Sequence, residues 1–355
     1  MRHKFSQWVS LSVFSVGLAY AFAAHAESLE EVVNRIGQLP RDQRLQEQIA
    51  GAKKEGKPLI YTSTAIQEAQ ERNTAFRNQY PFTNEVEVYR GTSERLLTKL
   101  IMEYRSKKFL ADLVIMNGAD VYMAKKEGLL GKYSPLDRDF YLTGFIDPEG
   151  YWTALNIIPY VMEYNNRLVS PNDIPKSLEE LLDERWRGKL ALDDQEHFWF
   201  ANILKILGEK RGWDYMKKLS RQNVNLHRGH NLLNQLITAG EFPINITQYS
   251  HITQRSIRAG APVDWYGLDP IVTGIQSIAI LKNAPHPYTA MLYLDFMLSE
   301  PGQYLVRKRG FIPARKDVDP DPPRLKKGLK LVPADLTLLD NIQYFSKEFQ
   351  RLFLR

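Results

Sequence analysis

Short apolar runs that end in small polar residues alternate with helix-patterned segments along the first part of the chain. Three such runs, at 59–61, 86–89 and 113–116, precede polar clusters that contain Ser63 and Thr64, Thr92 and Ser93, and Asn117. Residues 66–80 and 93–105 carry apolar side chains near helical spacing. This alternation predicts an α/β fold with mixed, parallel-rich sheets and flanking helices.

The polar clusters are expected to meet at one edge of the sheet. In an open α/β sheet the strand C-termini and the following helix N-termini form a crevice. Free backbone N–H groups and the positive end of the helix dipole point into such a crevice. The hydroxyl and amide groups of Ser63, Thr64, Thr92, Ser93 and Asn117 therefore predict a binding site for a small polar or anionic ligand.

The pattern changes at 151–164, where a long aromatic and extended run replaces the alternation. Pro159 lies inside this run and favours a bend over a regular central strand. We interpret the run as the first crossing into a second lobe and residues 274–281 as the returning strand. The predicted division is lobe 1 at 27–157 and 272–320, lobe 2 at 158–271, and a linker with an amphipathic C-terminal helix at 321–355, the helix starting near Ala334.

The second lobe is expected to add three polar clusters: Asp194 and Glu196, Arg228 and His230, and Tyr249 and His251. Carboxylates beside an imidazole suit a metal ion, and a solvated turn is the alternative. A basic loop at a helix N-terminus suits an anion, and a capping loop is the alternative. Tyr249 is interpreted as a ligand-contacting phenol, with packing at a domain interface as the alternative. His251 would share its face if the strand continued.

The first 26 residues have the pattern of a cleaved secretory signal. Arg2 and Lys4 precede an apolar stretch at 9–24, and Ala24-His25-Ala26 matches a cleavage site. A membrane anchor is the alternative, which the stretch disfavours because a spanning helix needs ~20 apolar residues. The chain is therefore expected to be exported.

Composition narrows the possible functions. The absence of cysteine excludes disulfides, a thiol nucleophile and a cysteine-based metal site. The net charge of +6 is mild and spread along the chain, which indicates solvated faces rather than a nucleic-acid groove. Since no nucleophile motif such as G-x-S-x-G is present, a binding protein is favoured over an enzyme. A secreted hydrolase or transferase on a similar fold is kept as the alternative.

Several stretches between about Lys54 and Val318 resemble the periplasmic substrate-binding proteins of ABC transporters, in the group that includes the ferric-iron binders. In order, these stretches are KKEGKPLIYTST, EVEVYRGTSERLLTKL, ADLVIMN, KKEGLLGKY, LEELLDERWRGKLAL, AGEFPINITQY and TAMLYLDFMLSEPGQYLVRKRGFIPAR. The resemblance implies a two-lobed, type II-like fold with a hinge of crossing strands and a ligand between the lobes. It also implies a monomer in the periplasm that delivers its ligand transiently to a membrane permease and needs no cofactor.

The same resemblance leaves two ligand classes open. Ferric members of the group hold iron with two adjacent tyrosines, often with a histidine and an acid from the first lobe. Here the pair position is Tyr249-Ser250, and the first loop is Ser63-Thr64-Ala65. These departures favour an organic anion, whereas Tyr249, Asp194 and Glu196 would be the candidate ligands for ferric iron.

Overall fold

The structure, a computed structural model, describes residues 27–83 and 85–354, so the predicted signal at 1–26 lies outside the described residues. The strands are β1 (Leu59–Thr62), β2 (Glu87–Arg90), β3 (Leu113–Asn117), β4 (Thr153–Asn165), β5 (Leu190–Asp193), β6 (Asn225–His227), β7 (Ile244–Tyr249), β8 (Val263–Tyr266), β9 (Ile271–Ile280), β10 (Ile312–Pro313) and β11 (Leu331–Pro333).

The helices confirm most of the predicted segments. They are α1 (Leu29–Ile36), α2 (Arg41–Ala52), α3 (Ile66–Gln79), α4 (Ser93–Arg105), α5 (Gly118–Lys126), α6 (His197–Leu207), α7 (Glu209–Ser220), α8 (His230–Ala239), α9 (Ser250–Arg258), α10 (Pro287–Leu298), α11 (Glu300–Lys308) and α12 (Ile342–Phe353). No helix in the described part of the chain is long and apolar enough to cross a membrane.

The strands follow the order β2-β1-β3-β9-β4-β7-β5-β6, with β8 and β10 added to β4 and β11 added to β9. Strand β1 is parallel to β2 and β3, and β5 is parallel to β6 and β7. The long central strands β4 and β9 are antiparallel to each other and join these two parallel groups. The mixed α/β architecture predicted from the sequence is therefore confirmed.

Strand β4 continues through Pro159, where a bend was expected. Pro159 pairs with Thr273 at the end of the β9 ladder, and the next residue, Tyr160, pairs with Tyr249 of β7. A proline has no backbone N–H to donate to a ladder. It is tolerated here because it lies where β4 exchanges one partner strand for another.

Two hydrophobic cores lie on either side of this exchange. The first core includes the buried side chains of Leu113, Val121 and Ile278. The second core includes Leu190, Phe200 and Ile244. Strand β4 contributes to both, through Leu155 in the first and Met162 in the second. The fold is thus two-lobed, as its sequence pattern predicts.

The C-terminal helix begins at Ile342, later than the sequence pattern indicated, because a 3₁₀ helix at Leu336–Asn341 precedes it. The Asp335 carboxylate accepts hydrogen bonds from the N–H and the hydroxyl of Thr337, which caps the 3₁₀ helix. Helix α12 then buries Phe349 and Leu352 in the second core.

The segment between β11 and α12 contacts both sides of the molecule. Asp340 accepts from Tyr122 and Lys126 of α5, at 3.0 and 2.7 Å. The backbone N–H of Asp335 donates to the side chain of Asn202 on α6, at 2.7 Å. The segment therefore spans from a helix of the first core to a helix of the second.

Candidate functional site

A cavity of about 390 Å³ lies where the two cores face each other, and we call it the cleft cavity. None of its lining residues carries a charged side chain. They are Ser63, Ser93, Asn117, Gly118, Ala119, Gly144, Ile158, Tyr160, Phe198, Tyr249, Thr273, Gly274, Ile275, Ala334 and Leu336. Hydroxyl, amide and aromatic groups thus dominate its polar chemistry.

Two helix N-termini form the first-core side of the cleft cavity. Ser93 opens α4, and its hydroxyl accepts from the Asn117 N–H at 3.1 Å. The Asn117 side chain caps α5 by accepting from the Asp120 N–H at 3.0 Å. A Cβ on Gly118 would lie 2.5 Å from the Ile275 side chain, so glycine permits this close approach of α5 to β9. The positive ends of both helices therefore face the cavity.

Two phenols form much of the opposite side. Tyr160 of β4 and Tyr249 of β7 have ring centroids 5.3 Å apart in an edge-to-face arrangement. Burial raises the pKa of both phenols well above the usual value for tyrosine. Both side chains are consequently neutral hydrogen-bonding groups at physiological pH.

A buried acid–imidazole pair lies behind Tyr249. The Glu196 carboxylate is 2.8 Å from Nε2 of His230, and the His230 ring centroid is 3.7 Å from that of Tyr249. Burial raises the pKa of Glu196. Burial also opposes protonation of His230, but the hydrogen bond and charge of Glu196 outweigh it and raise the His230 pKa. The pair therefore packs directly against the Tyr249 ring and supports it from behind.

A second cavity of about 390 Å³ shares Ser63 with the first, and we call it the arginine cavity. Its lining residues are Ser63, Thr64, Ala65, Gln67, Glu68, His251, Gln254, Arg255, Arg258, Gln276, Arg309, Gly310 and Phe311. The His251 ring lies between the two cavities, 5.8 Å from the Tyr249 ring and 4.8 Å from the Phe311 ring. Burial lowers the pKa of His251 to about 3, so this ring is uncharged.

In the structure the eleven predicted site residues fall into four groups that lie in different places. Ser63, Ser93, Asn117 and Tyr249 line the cleft cavity, and Thr64 and His251 line the arginine cavity. Thr92 caps α4, accepting from the Arg95 N–H, and lines neither cavity. The remaining four lie around the loops before α6 and α8: Asp194, Glu196, Arg228 and His230.

Those four residues form two pairs, and they line neither of the two cavities. Exposed Arg228 donates from Nε to the Asp194 carboxylate at 3.3 Å, and Glu196 binds His230. Strand β7 ends at Tyr249, so His251 lies in the first turn of α9 instead of on the predicted strand face. No group of three or more His, Asp or Glu side chains in the described part of the chain could hold a metal ion.

Sequence reasoning missed several lining residues, among them Tyr160, Phe198 and Thr273. Tyr160 had a usable signal, because it lies in the aromatic crossing run directly after Pro159. Phe198 and Thr273 had none, since their exposure to the cavity depends on how the two cores meet.

Comparisons with known proteins bear on the family and the fold of the chain. A model of the family of bacterial extracellular solute-binding proteins matches residues 109–335. "Iron uptake protein A1" of Synechocystis sp. is 19% identical over 247 residues, which are 64% of this chain and 67% of that protein.

Solved structures share the fold. The crystal structure of iron-bound HitA from Pseudomonas aeruginosa has a TM-score of 0.70 at 20% identity, covering 83% of this chain and 99% of that one. The periplasmic binding protein AfuA from Actinobacillus pleuropneumoniae, with fructose-6-phosphate bound, has a TM-score of 0.67 at 21% identity, covering 84% and 99%.

Proposed function

The chain belongs to the family of bacterial extracellular solute-binding proteins and is the binding component of an ABC importer, and we propose that its solute is a small organic anion held in the cleft cavity. The observation that carries the proposal is the lining of that cavity. The N-termini of α4 and α5 face the neutral phenols of Tyr160 and Tyr249 across it, without a carboxylate between them.

Helix N-termini favour anionic groups because their first N–H groups lack intrahelical partners. The phenols and the hydroxyls of Ser63 and Ser93 can bond to hydroxyl or oxyanion oxygens of a solute. Fructose-6-phosphate, bound by the similarly folded AfuA, is one example of an organic anion that such a fold accepts.

Ferric iron is the second candidate, since iron is bound by the similarly folded HitA. In this chain Tyr160 and Tyr249 are the anionic-oxygen donors that iron would use in the cleft cavity. The predicted carboxylate ligands are engaged elsewhere, with Asp194 on Arg228 and Glu196 on His230. Iron would therefore require an anion from solution to complete its coordination.

A thermal-shift screen of phosphates, carboxylates and ferric complexes tests the proposal. A ligand that binds only the folded chain stabilises it by about 2.7 kcal/mol at a hundredfold excess over Kd. Stabilisation by metal-free anions supports the proposal. A flat response to every anion, or a coloured, iron-loaded protein without affinity for any metal-free anion, contradicts it.

Tyr249→Phe separates the two solutes because it removes only the phenolic oxygen. If the solute is an organic anion, binding by the variant is weakened only by the loss of one hydrogen bond. In that case the wild type shows no tyrosinate-to-iron absorption. With iron as solute, both binding and absorption are nearly abolished. Tyr304→Phe is the matched control, since Tyr304 is 46% exposed and lines neither cavity.

The export route and cellular setting form part of the same proposal. We expect cleavage after Ala26 and a periplasmic monomer that delivers its solute transiently to an inner-membrane permease. In the structure the Glu27 carboxylate is bound by Arg35 at 3.0 Å, so the expected new N-terminus is anchored to α1. The intact mass of exported protein tests the cleavage, and retention of Met1 contradicts it.

We also propose that the lobes divide at 157/158 and 271/272. The proposal is supported by β4, which pairs with β9 at Pro159 and with β7 at Tyr160.

A further inference from the structure

The arginine cavity contains four arginines in or beside its lining, and three of them already have carboxylate partners. Arg72 pairs with Glu68, Arg309 pairs with Glu71, and Arg258 donates to Asp321 at 3.0 Å. Arg255 is exposed, and its side chain has no hydrogen bond or salt bridge to any described residue. These four arginines therefore carry one positive charge more than the three carboxylates paired with them.

This excess charge lies between the two halves of the molecule. Arg255 projects from α9, which packs against β4 and β7, whereas Ser63, Thr64 and Gln67 come from the end of β1 and the start of α3. The 14-residue helix α3 begins here with Ala65 as its N-cap, so no side chain caps its first turn. Uncapped N–H groups and a guanidinium thus face one space from opposite sides.

The arginine cavity also adjoins the cleft cavity. Ser63 lines both, and the uncharged His251 ring lies between Tyr249 on one side and Phe311 on the other. A solute that occupies the uncharged cleft cavity can therefore extend past Ser63 towards Arg255.

We propose that the arginine cavity binds the anionic group of the solute, a carboxylate or a phosphate monoester, at Arg255, while the cleft cavity holds the uncharged, hydroxylated remainder. The inference rests on the proposed function and adds the orientation and chemical class of the solute. A guanidinium bonds both oxyanions bidentately, and such charge-assisted bonds are roughly twice as strong as neutral ones.

The test is calorimetric titration of wild type, Arg255→Ala and Arg255→Lys with glucose 6-phosphate, gluconate and glucose. Arg221→Ala is the matched control, because Arg221 is, like Arg255, an exposed arginine, and it lines neither cavity. We expect Arg255→Ala to weaken binding of the two anions at least tenfold and Arg255→Lys to restore part of it. Binding of glucose by Arg255→Ala, and binding of the two anions by Arg221→Ala, should change less than twofold. Tighter binding of glucose 6-phosphate or of gluconate identifies whether the cavity prefers a phosphate or a carboxylate.

Two results would overturn the inference. One of them leaves the proposed function intact, and the other overturns the proposed function as well. If the anions bind and Tyr249→Phe weakens them while Arg255→Ala does not, the proposed function stands and only the role of Arg255 fails. If wild type binds neither of these anions nor any anion of the thermal-shift screen, the proposed function fails and this inference fails with it.

Discussion

Tyr160 and Tyr249 lie directly opposite each other on antiparallel strands, with ring centroids 5.3 Å apart. The first belongs to the strand that passes through both cores, and the second ends the strand beside it. We therefore expect the two phenols to contact a solute together, so that a change to either one also alters how the other binds.

Tyr160→Phe should weaken binding of the anionic solute by up to about tenfold. The variant keeps the ring and removes one hydroxyl, and a hydrogen bond contributes about 0.5–1.5 kcal/mol net. Titration calorimetry beside Tyr304→Phe measures the effect. A change as small as in that control would show that the Tyr160 hydroxyl does not contact the solute.

Local signals explain which parts of this site could be predicted from the sequence. Ser93 and Asn117 follow apolar runs and begin helices, and both relations hold within a few residues of the chain. Tyr160 became a partner of Tyr249 only through strand pairing, which links distant positions. In the same way, the burial of Glu196 against His230 depends on how α6 and α8 pack. A cluster of acids in the sequence could not reveal that Asp194 pairs with Arg228 and Glu196 with His230.

Asp295→Asn should change how stability depends on pH. Burial raises the pKa of Asp295 to about 6 in the folded chain, against 3.8 for the free side chain. The folded state therefore retains a proton that the unfolded state has released. This contribution is fully present below pH 3.8 and is lost as the pH rises through about 6.

The variant cannot titrate, so its stability relative to wild type should increase by about 3 kcal/mol from pH 3.5 to 7, at 1.36 kcal/mol per pKa unit. Gln48 donates to Asp295 at 3.1 Å, and its own carbonyl oxygen lacks a partner among the described residues, so it can turn to accept from the new amide. Urea unfolding at both pH values measures the difference. Asp42→Asn, at an exposed position, is the control. A constant difference would contradict the assignment.

Phe349→Ala should destabilise the chain by about 3–5 kcal/mol, because a buried aromatic side chain leaves a cavity when truncated. Phe349 is fully buried, and its ring lies 5.7 Å from that of Phe200 and 5.1 Å from that of His197. Tyr344→Ala on the same helix changes a side chain that is 54% exposed and should cost little. Equal losses in the two variants would mean that α12 is not part of the second core in solution.

Binding of the anionic solute should reduce the radius of gyration measured by small-angle scattering. Strands β4 and β9 join both halves, and a doubly connected hinge permits closure while it resists separation. Solute contacts on both sides of the cleft cavity would favour the more closed arrangement. An unchanged radius at saturation would show that the halves bind solute without moving.

The segment at 335–341 bears on the rate of solute capture. Its first residue is held to α6 through Asn202, and Asp340 is held to α5 through Tyr122 and Lys126. We expect any widening of the cleft to break the contacts at one end, which include the exposed and therefore weak ion pair of Lys126 and Asp340. Entry and exit of the solute would then depend on the same opening step. We therefore expect residues 336–341, which lie beyond the matched 109–335, to influence how often the cleft opens.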